Sequence, residues 1–227
     1  MAKKKVFTGF TKETPEHLLL DAGAFFKNFV YVPGGDNNDT YDSAVAAGKL
    51  LGATKGGGEF SAVPTIRQIE VDGVKGRAKG LETIDSWEVY LKATILEAKT
   101  DAIKSALCAA NVDEVSDTKY DVITGKSEIE LSDYIDNVTW IGKLSGSNEP
   151  VIIIVDNALN TDGLKLTVQD KSEATIPVTF YGHYDTDSLD EPPFKIFYPK
   201  KETAAQTAAQ TAAQTTAQTT AQTDSDK

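Results

Sequence analysis

Polar and apolar residues alternate without a break from Ser86 to Ile95. Trp87, Val89, Leu91, Ala93 and Ile95 fall on one side, and Ser86, Glu88, Tyr90, Lys92 and Thr94 on the other. Successive side chains of a strand point to opposite faces, so a period of two over this length predicts a half-buried β-strand. Its polar face carries an acid, a base, a tyrosine and two hydroxyls, which suits water or another polar surface. A second strand is expected over Thr65–Val71, with Ile69 and Val71 inward. Asp72-Gly73 between them favours a turn with positive φ, and Gly76 and Gly80 keep the connection pliant. The two strands thus form a hairpin whose long tip carries Lys75, Arg77 and Lys79. That tip is longer than a connection requires.

The rest of the chain adds strands around this hairpin. His17–Val30 is apolar and aromatic, interrupted by Gly23, and reads as a strand buried on much of both faces with a bulge or close contact at the glycine. Ser43 is a candidate cap for a short helix reaching Leu51, and Gly56-Gly57-Gly58 a flexible link into a strand at Glu59. The clearest helix begins near Thr100, its expected N-cap, with Asp101 in the first turn and Asn111 closing it. Ile103, Ala106, Leu107 and Ala110 give it a narrow apolar stripe. Further strands are expected at Lys119–Thr124, Ser127–Leu131, Val138–Leu144, Val151–Val155, Leu164–Val168 and Ala174–Tyr184. The tally is a mainly β chain with one good helix, consistent with two packed sheets.

Composition changes abruptly at Thr203, where TAAQ occurs three times and TTAQ twice. Such a repeat has no apolar face to dock and too little apolar surface to offset ordering, so residues 201–227 are expected to be disordered or a frayed helix. The folded domain is expected to span residues 1–200. Within it Lys3–Lys5 make a short basic arm, read as a solvated terminus.

Charge and candidate chemistry narrow the function. The 227 residues carry a formal charge of −11. That balance argues against gripping nucleic acid, where affinity comes mostly from neutralised phosphates, but not against letting it slide past. No apolar run approaches the roughly 20 residues needed to cross a bilayer. The N-terminus lacks the apolar segment of a secretory signal, so a cytoplasmic protein is expected. A single cysteine, Cys108, gives no internal disulfide framework and no cysteine-based zinc cage. Beside the helix stripe it reads as a small packed residue, since no base is assignable near it. Asp36, Asn37, Asn38, Asp39 and Asp42 loosely resemble a calcium loop. Tyr41 stands where the glycine belongs and Ala47 where the glutamate belongs, which favours a polar turn. The histidines, His17 and His183, are far apart; His183 is a possible ligand or base, and a satisfied strand-end histidine is the favoured reading. Gly48–Lys55 does not fit phosphate-loop spacing, and no serine nucleophile elbow occurs. An enzyme is disfavoured, and no cofactor or metal is expected.

Three stretches carry a resemblance. They are Gly52–Glu97 (GATKGGGEFSAVPTIRQIEVDGVKGRAKGLETIDSWEVYLKATILE) with the single helix after it, Tyr134–Leu164 (YIDNVTWIGKLSGSNEPVIIIVDNALNTDGL), and Val178–Asp185 (VTFYGHYD). Together they resemble the major tail protein, or tail tube protein, of long-tailed non-contractile bacteriophages of Gram-positive hosts, over most of residues 10–190. The resemblance implies a β-sandwich partly closed into a barrel with one flanking helix. It implies hexameric rings that stack into a tube around a tape-measure protein, meet tail-end proteins, and later pass DNA without specific binding. The expected location is then the virion tail, after assembly in the host cytoplasm. On that reading Lys75, Arg77 and Lys79 are inter-ring contacts, and Ser86, Glu88, Tyr90, Lys92 and Thr94 form a channel or subunit-facing strand. Two alternatives stay open: a tube or ring protein of a phage-like injection machine, and a carbohydrate-binding or adhesion β-sandwich.

Overall fold

The structure, a computed structural model, describes residues 9–200. The expected basic arm at Lys3–Lys5 and the expected disorder of the threonine-alanine-glutamine repeat lie outside these residues. The chain divides after Phe197, and the unit up to there carries every element below. The fold is mainly β, with a large sheet curled into a half-barrel and a second, small sheet.

The large sheet runs in the order β1 (Leu19–Lys27), β6 (Ile135–Leu144), β7 (Val151–Asn160), β8 (Ile176–Tyr181), β3 (Glu82–Ile95) and β2 (Thr54–Gln68), with β9 (Phe194–Phe197) also on β7. All pairings are antiparallel. The curl is made by β7. Its first half pairs with β9 from Ile152 to Val155, and its last two residues pair with β8. Between them Asn157 has φ of 48°, which bends the strand from one half of the sheet to the other.

Alternation fixes what each face buries. Val89, Leu91, Ala93 and Ile95 of β3 point into the curl, with Phe25, Val138, Val155, Val178 and Phe180 from the other strands. The short helix α2 (Thr100–Ala106) packs Ala106 and Ile103 against the same core. The outer face of β1, β6 and β7 is covered as well, by a second cluster of Phe26, Phe29, Ala44, Ile141, Ile152 and Ile154. This explains why Val151–Val155 of β7 is an unbroken apolar run: both its faces are dry. Helix α1 (Tyr41–Ala46) belongs to this cover, and its N-cap is Thr40. Ser43 is the third residue of that capping box rather than the cap itself.

The two ends of the sheet, β1 and β2, come face to face. A Cβ on Gly58 would lie 2.3 Å from Phe25 Cζ and 2.4 Å from the Lys92 carbonyl oxygen, so only glycine fits there. Lys49–Ala53 crosses this seam. Lys27 N–H donates to Lys49 O, Leu51 N–H to Phe25 O, and Leu96 N–H to Ala53 O.

Several expectations are corrected. Gly56–Gly58 are not a flexible link but part of β2, at a register shift between Thr54 and Gly58. The bulge near Gly23 is present between Leu20 and Ala24, yet β1 is buried only in its second half, because Leu19 and Leu20 lie outside both apolar clusters. Lys99 precedes α2 and makes no side-chain cap; Thr100 Oγ1 instead donates to Asp121 Oδ2. The helix ends at Cys108 with φ of 72°, while Asn111 lies in β4 (Ala110–Asp113). Of Lys119–Leu131, only β5 (Val122–Gly125) is a strand, and it pairs with β4 as the small sheet. Leu164–Val168 contributes a single bridge, Thr167 with Thr175. The strands β4 and β9 were not expected.

Candidate functional site

The hairpin β2–β3 is long, and only half of it belongs to the body. From Tyr90 to Ile95, β3 is paired on both edges, by β2 and β8. Gly182 N–H donates to Val89 O, and Tyr184 Oη accepts from Trp87 N–H at 2.8 Å. Among the described residues that is the last bond on this edge. Beyond Trp87 the hairpin continues as a two-stranded ribbon, with Gln68 opposite Glu82 at its far end. Trp87 also stacks on Phe194 at 5.4 Å, and Phe60 on Phe194 at 5.9 Å, so aromatic contacts clamp the ribbon's root.

The ribbon keeps the pattern of the body after the body has ended. A register shift between Thr65 and Ile66 leaves Asp85 without an opposite residue, so Ile66 stands opposite Ile84. These two continue the row that in the body contains Trp87 and Pro64. Among the described residues nothing covers them: Ile66 is 57% and Ile84 51% exposed. Ile69, Val71 and Val74 near the tip are exposed too, so the inward placement expected for Ile69 and Val71 is wrong. Both residues also lie past the end of β2. The Asp72-Gly73 turn forms as expected, with Gly73 φ at 87° and Val74 N–H donating to Val71 O.

Lys75, Arg77 and Lys79 all sit at this tip and are exposed. Arg77 Nε lies 4.0 Å from Glu82 Oε1, a loose surface pair. The opposite face of β3 is polar, as its sequence predicts. Ser86 and Glu88 are exposed, and Tyr90, Lys92 and Thr94 half-buried. Tyr90 Oη donates to Glu59 Oε1 at 2.8 Å, Lys92 Nζ lies 4.2 Å from the Tyr90 ring centre, and Tyr181 meets Tyr90 edge to face. This network ties β2, β3 and β8 across the sheet.

The free edge of β2 carries a safeguard. Trp87 N–H is used by Tyr184, on the side away from β2. Pro64, opposite Trp87, is therefore placed where its missing N–H would have faced the open edge.

Other sequence-derived candidates are committed elsewhere. The Asp39 carboxylate accepts from Lys49 Nζ at 2.6 Å and from Val30 N–H at 2.7 Å. Burial works against its charge, but these two donors outweigh that and hold its carboxyl below the usual range. Asn38 closes the same turn onto Val32. His183 Nδ1 lies 3.0 Å from Asn157 O and its ring meets Tyr134 edge to face, so it braces the bend in β7. Burial and the nearby Asp133 push the Cys108 thiol up, away from the reactive thiolate. Among the described residues no three His, Cys, Asp or Glu side chains group as a metal site. No described helix is long and apolar enough to cross a membrane. No family model matches the sequence, and no curated protein matches it.

Proposed function

We propose that this protein is a self-assembling structural subunit, a tail-tube protein of the kind found in long-tailed non-contractile phages. The observation that carries this reading is the ribbon. A two-stranded hairpin is marginal alone in water, and this one bears an uncovered apolar row and a basic tip. Such an arm gains stability when another chain covers it. Its partner is another copy, in hexameric rings that stack around a tape-measure protein and end on tail-end proteins. The contact is heterologous, so it repeats without closing and yields a filament. The polar face of β3, from Ser86 to Thr94, then faces the channel or a neighbouring subunit. A net charge of −11 lets DNA phosphates pass with little adhesion. The protein resides in the virion tail and carries no catalytic role.

The test is negative-stain electron microscopy of the purified chain held at high concentration for several days. Hollow tubes or six-fold rings are expected. Lys75→Glu, Arg77→Glu and Lys79→Glu together should stop their growth, since reversed charges repel whatever acidic surface the tip meets. Unchanged polymerisation of that triple variant would remove the basic tip from the contact.

A further inference from the structure

The seam between β1 and β2 leaves an open cavity of about 590 Å³ on the inner side of the curl. Its apolar lining is Leu19, Phe25, Phe60, Leu91, Trp140 and Ile153, brought together from β1, β2, β3, β6 and β7. Phe25 and Leu91 belong to the inner core, but Phe60, Trp140 and Ile153 are only half-buried and Leu19 is 53% exposed. Ile152 and Ile154, on the outer face of β7, are by contrast buried in the second cluster. The inner wall is thus core-like surface that the described residues leave open.

The polar side chains around it are turned elsewhere. Trp140 Nε1 donates to Ala22 O at 2.9 Å. The Glu59 carboxylate accepts from Tyr90 Oη at 2.8 Å and lies 4.0 Å from Lys92 Nζ, on the opposite, polar face of the sheet. Asp21 is exposed at the rim. A small-molecule site sets a few convergent polar groups among its apolar side chains. This cavity has the apolar side chains alone, so it suits hydrocarbon.

Of the residues outside the described range, one end of the chain supplies that hydrocarbon. Met1, Val6 and Phe7 stand there, whereas residues 201–227 carry no apolar side chain larger than alanine. The chain that follows Phe7 is anchored at the cavity rim. Ser145 Oγ donates to Pro15 O, Leu18 N–H donates to Ser145 Oγ at 3.0 Å, and Ser145 N–H donates to Leu18 O at 2.9 Å. Leu19, the first lining residue, comes next. Thr11 N–H donates to Thr14 Oγ1 and Thr14 N–H to Thr11 O, so the chain turns on itself ahead of this anchor. Phe7 is four residues from Thr11, at most about 14 Å of extended chain. Phe10, between them, is 71% exposed, an aromatic side chain that the described residues leave largely uncovered.

We infer that Val6 and Phe7 of the same chain fill this cavity, so that the half-barrel carries its own plug. They cover Phe60, Trp140 and Ile153, and apolar surface leaves water on both sides of the contact. The short tether holds the chain's own segment at high effective concentration, which favours it over the segment of another copy. The plug belongs to the single chain and does not depend on tube formation.

Cysteine pairing tests it. Cys108 is the single cysteine, so a Cys108→Ser chain is a clean background. Phe7→Cys is combined there with Leu19→Cys, on the cavity lining, or with Leu20→Cys, which lines a separate hollow with Tyr41 and Ile141. Leu19 and Leu20 are adjacent and both exposed, so a loose tether would find them equally well. Oxidised in dilute solution, the Leu19 pair is expected to close an intrachain disulfide about tenfold faster than the Leu20 pair. Equal rates would overturn the plug. So would a disulfide-linked dimer as the main product of the Leu19 pair, which would give the cavity to a second copy.

Dye binding reads the same contact without cysteines. In the full chain, Val6→Asp with Phe7→Asp is expected to raise the fluorescence of anilinonaphthalene sulfonate severalfold, with cooperative melting retained. Val6→Ala with Phe7→Ala serves the same end should the aspartates disturb folding. A parent chain that binds the dye as strongly as both variants would show an unplugged cavity and overturn the assignment.

Discussion

One hairpin supplies two regions with the same alternation and opposite fates. In the body half, Leu91 and Ile95 face a core built from four other strands and are almost fully buried. In the ribbon half, Ile66 and Ile84 occupy the continuation of that row and are half exposed. The strands do not change; the company does, because β8 stops at Tyr181 and beyond it the edge of β3 is held at Trp87, by the Tyr184 hydroxyl and the Phe194 ring. A period of two thus records that one face is to be buried. It does not record whether the chain itself or another molecule does the burying.

Substitutions can break this comparison, and the largest effect is expected in the body. Leu91→Ala should cost about 2–5 kcal/mol, as buried leucine truncations do, and lower the melting temperature accordingly. A loss below 1 kcal/mol would mean that this half is no better packed than the ribbon. Gly58→Ala forces a methyl against Phe25 and the Lys92 carbonyl, and about 1–3 kcal/mol of overpacking is expected in denaturant titrations. Tyr184→Phe removes the bond to Trp87 N–H, for about 1 kcal/mol. Its sharper signature is hydrogen exchange, since amides of Val63–Gln68 and Glu82–Glu88 should exchange faster while Leu91 stays protected. Uniform exchange along β3 would show that the ribbon root is held by something else.

Smaller effects follow. Asp39 has its folded carboxyl below the ordinary value of 3.8, so its contribution is complete above that pH and is lost as pH falls through the lowered folded value. Asp39→Asn should therefore be less stable than the parent at pH 7, with the gap in melting temperature closing as pH drops below 3.8. A gap that is constant with pH would exclude the Lys49 pair as its source. Smallest of all is Ile84→Thr, expected within about 0.5 kcal/mol for the free chain, as surface changes usually are. A loss comparable to Leu91→Ala would show that the ribbon is already buried in solution, hence already assembled.

The legible parts of the sequence were those with an unbroken local signal. The face assignment of Trp87–Ile95, the bulge at Gly23, the turn at Asp72-Gly73 and the buried run Val151–Val155 of β7 were all readable. The basic tip was readable because charges interleave with glycines. What failed depended on distant partners. Ile69 and Val71 look inward by composition, but the body ends before them. Phe194–Phe197 is too short to be noticed between prolines and becomes a strand only because β7 offers an edge. Thr100 looks like a cap until Asp121 takes its hydroxyl. The apolar row that marks the candidate site, Ile66 with Ile84, was hidden because its register depends on the bulge at Asp85.

The central position of β6 and β7 has a consequence in time. Leu19 pairs with Leu144 and Phe26 with Thr139, while Phe194 pairs with Val155. Strand β1 thus leaves the ribosome long before its neighbour exists, and β9 is the last described strand to appear. Both flanks must close large loops onto the β6–β7 hairpin. Contacts so far apart in sequence place this chain among slow folders, in the millisecond-to-second range rather than microseconds. During that interval the apolar residues of β1 have no sheet to join, and the nascent chain is at its most prone to aggregate.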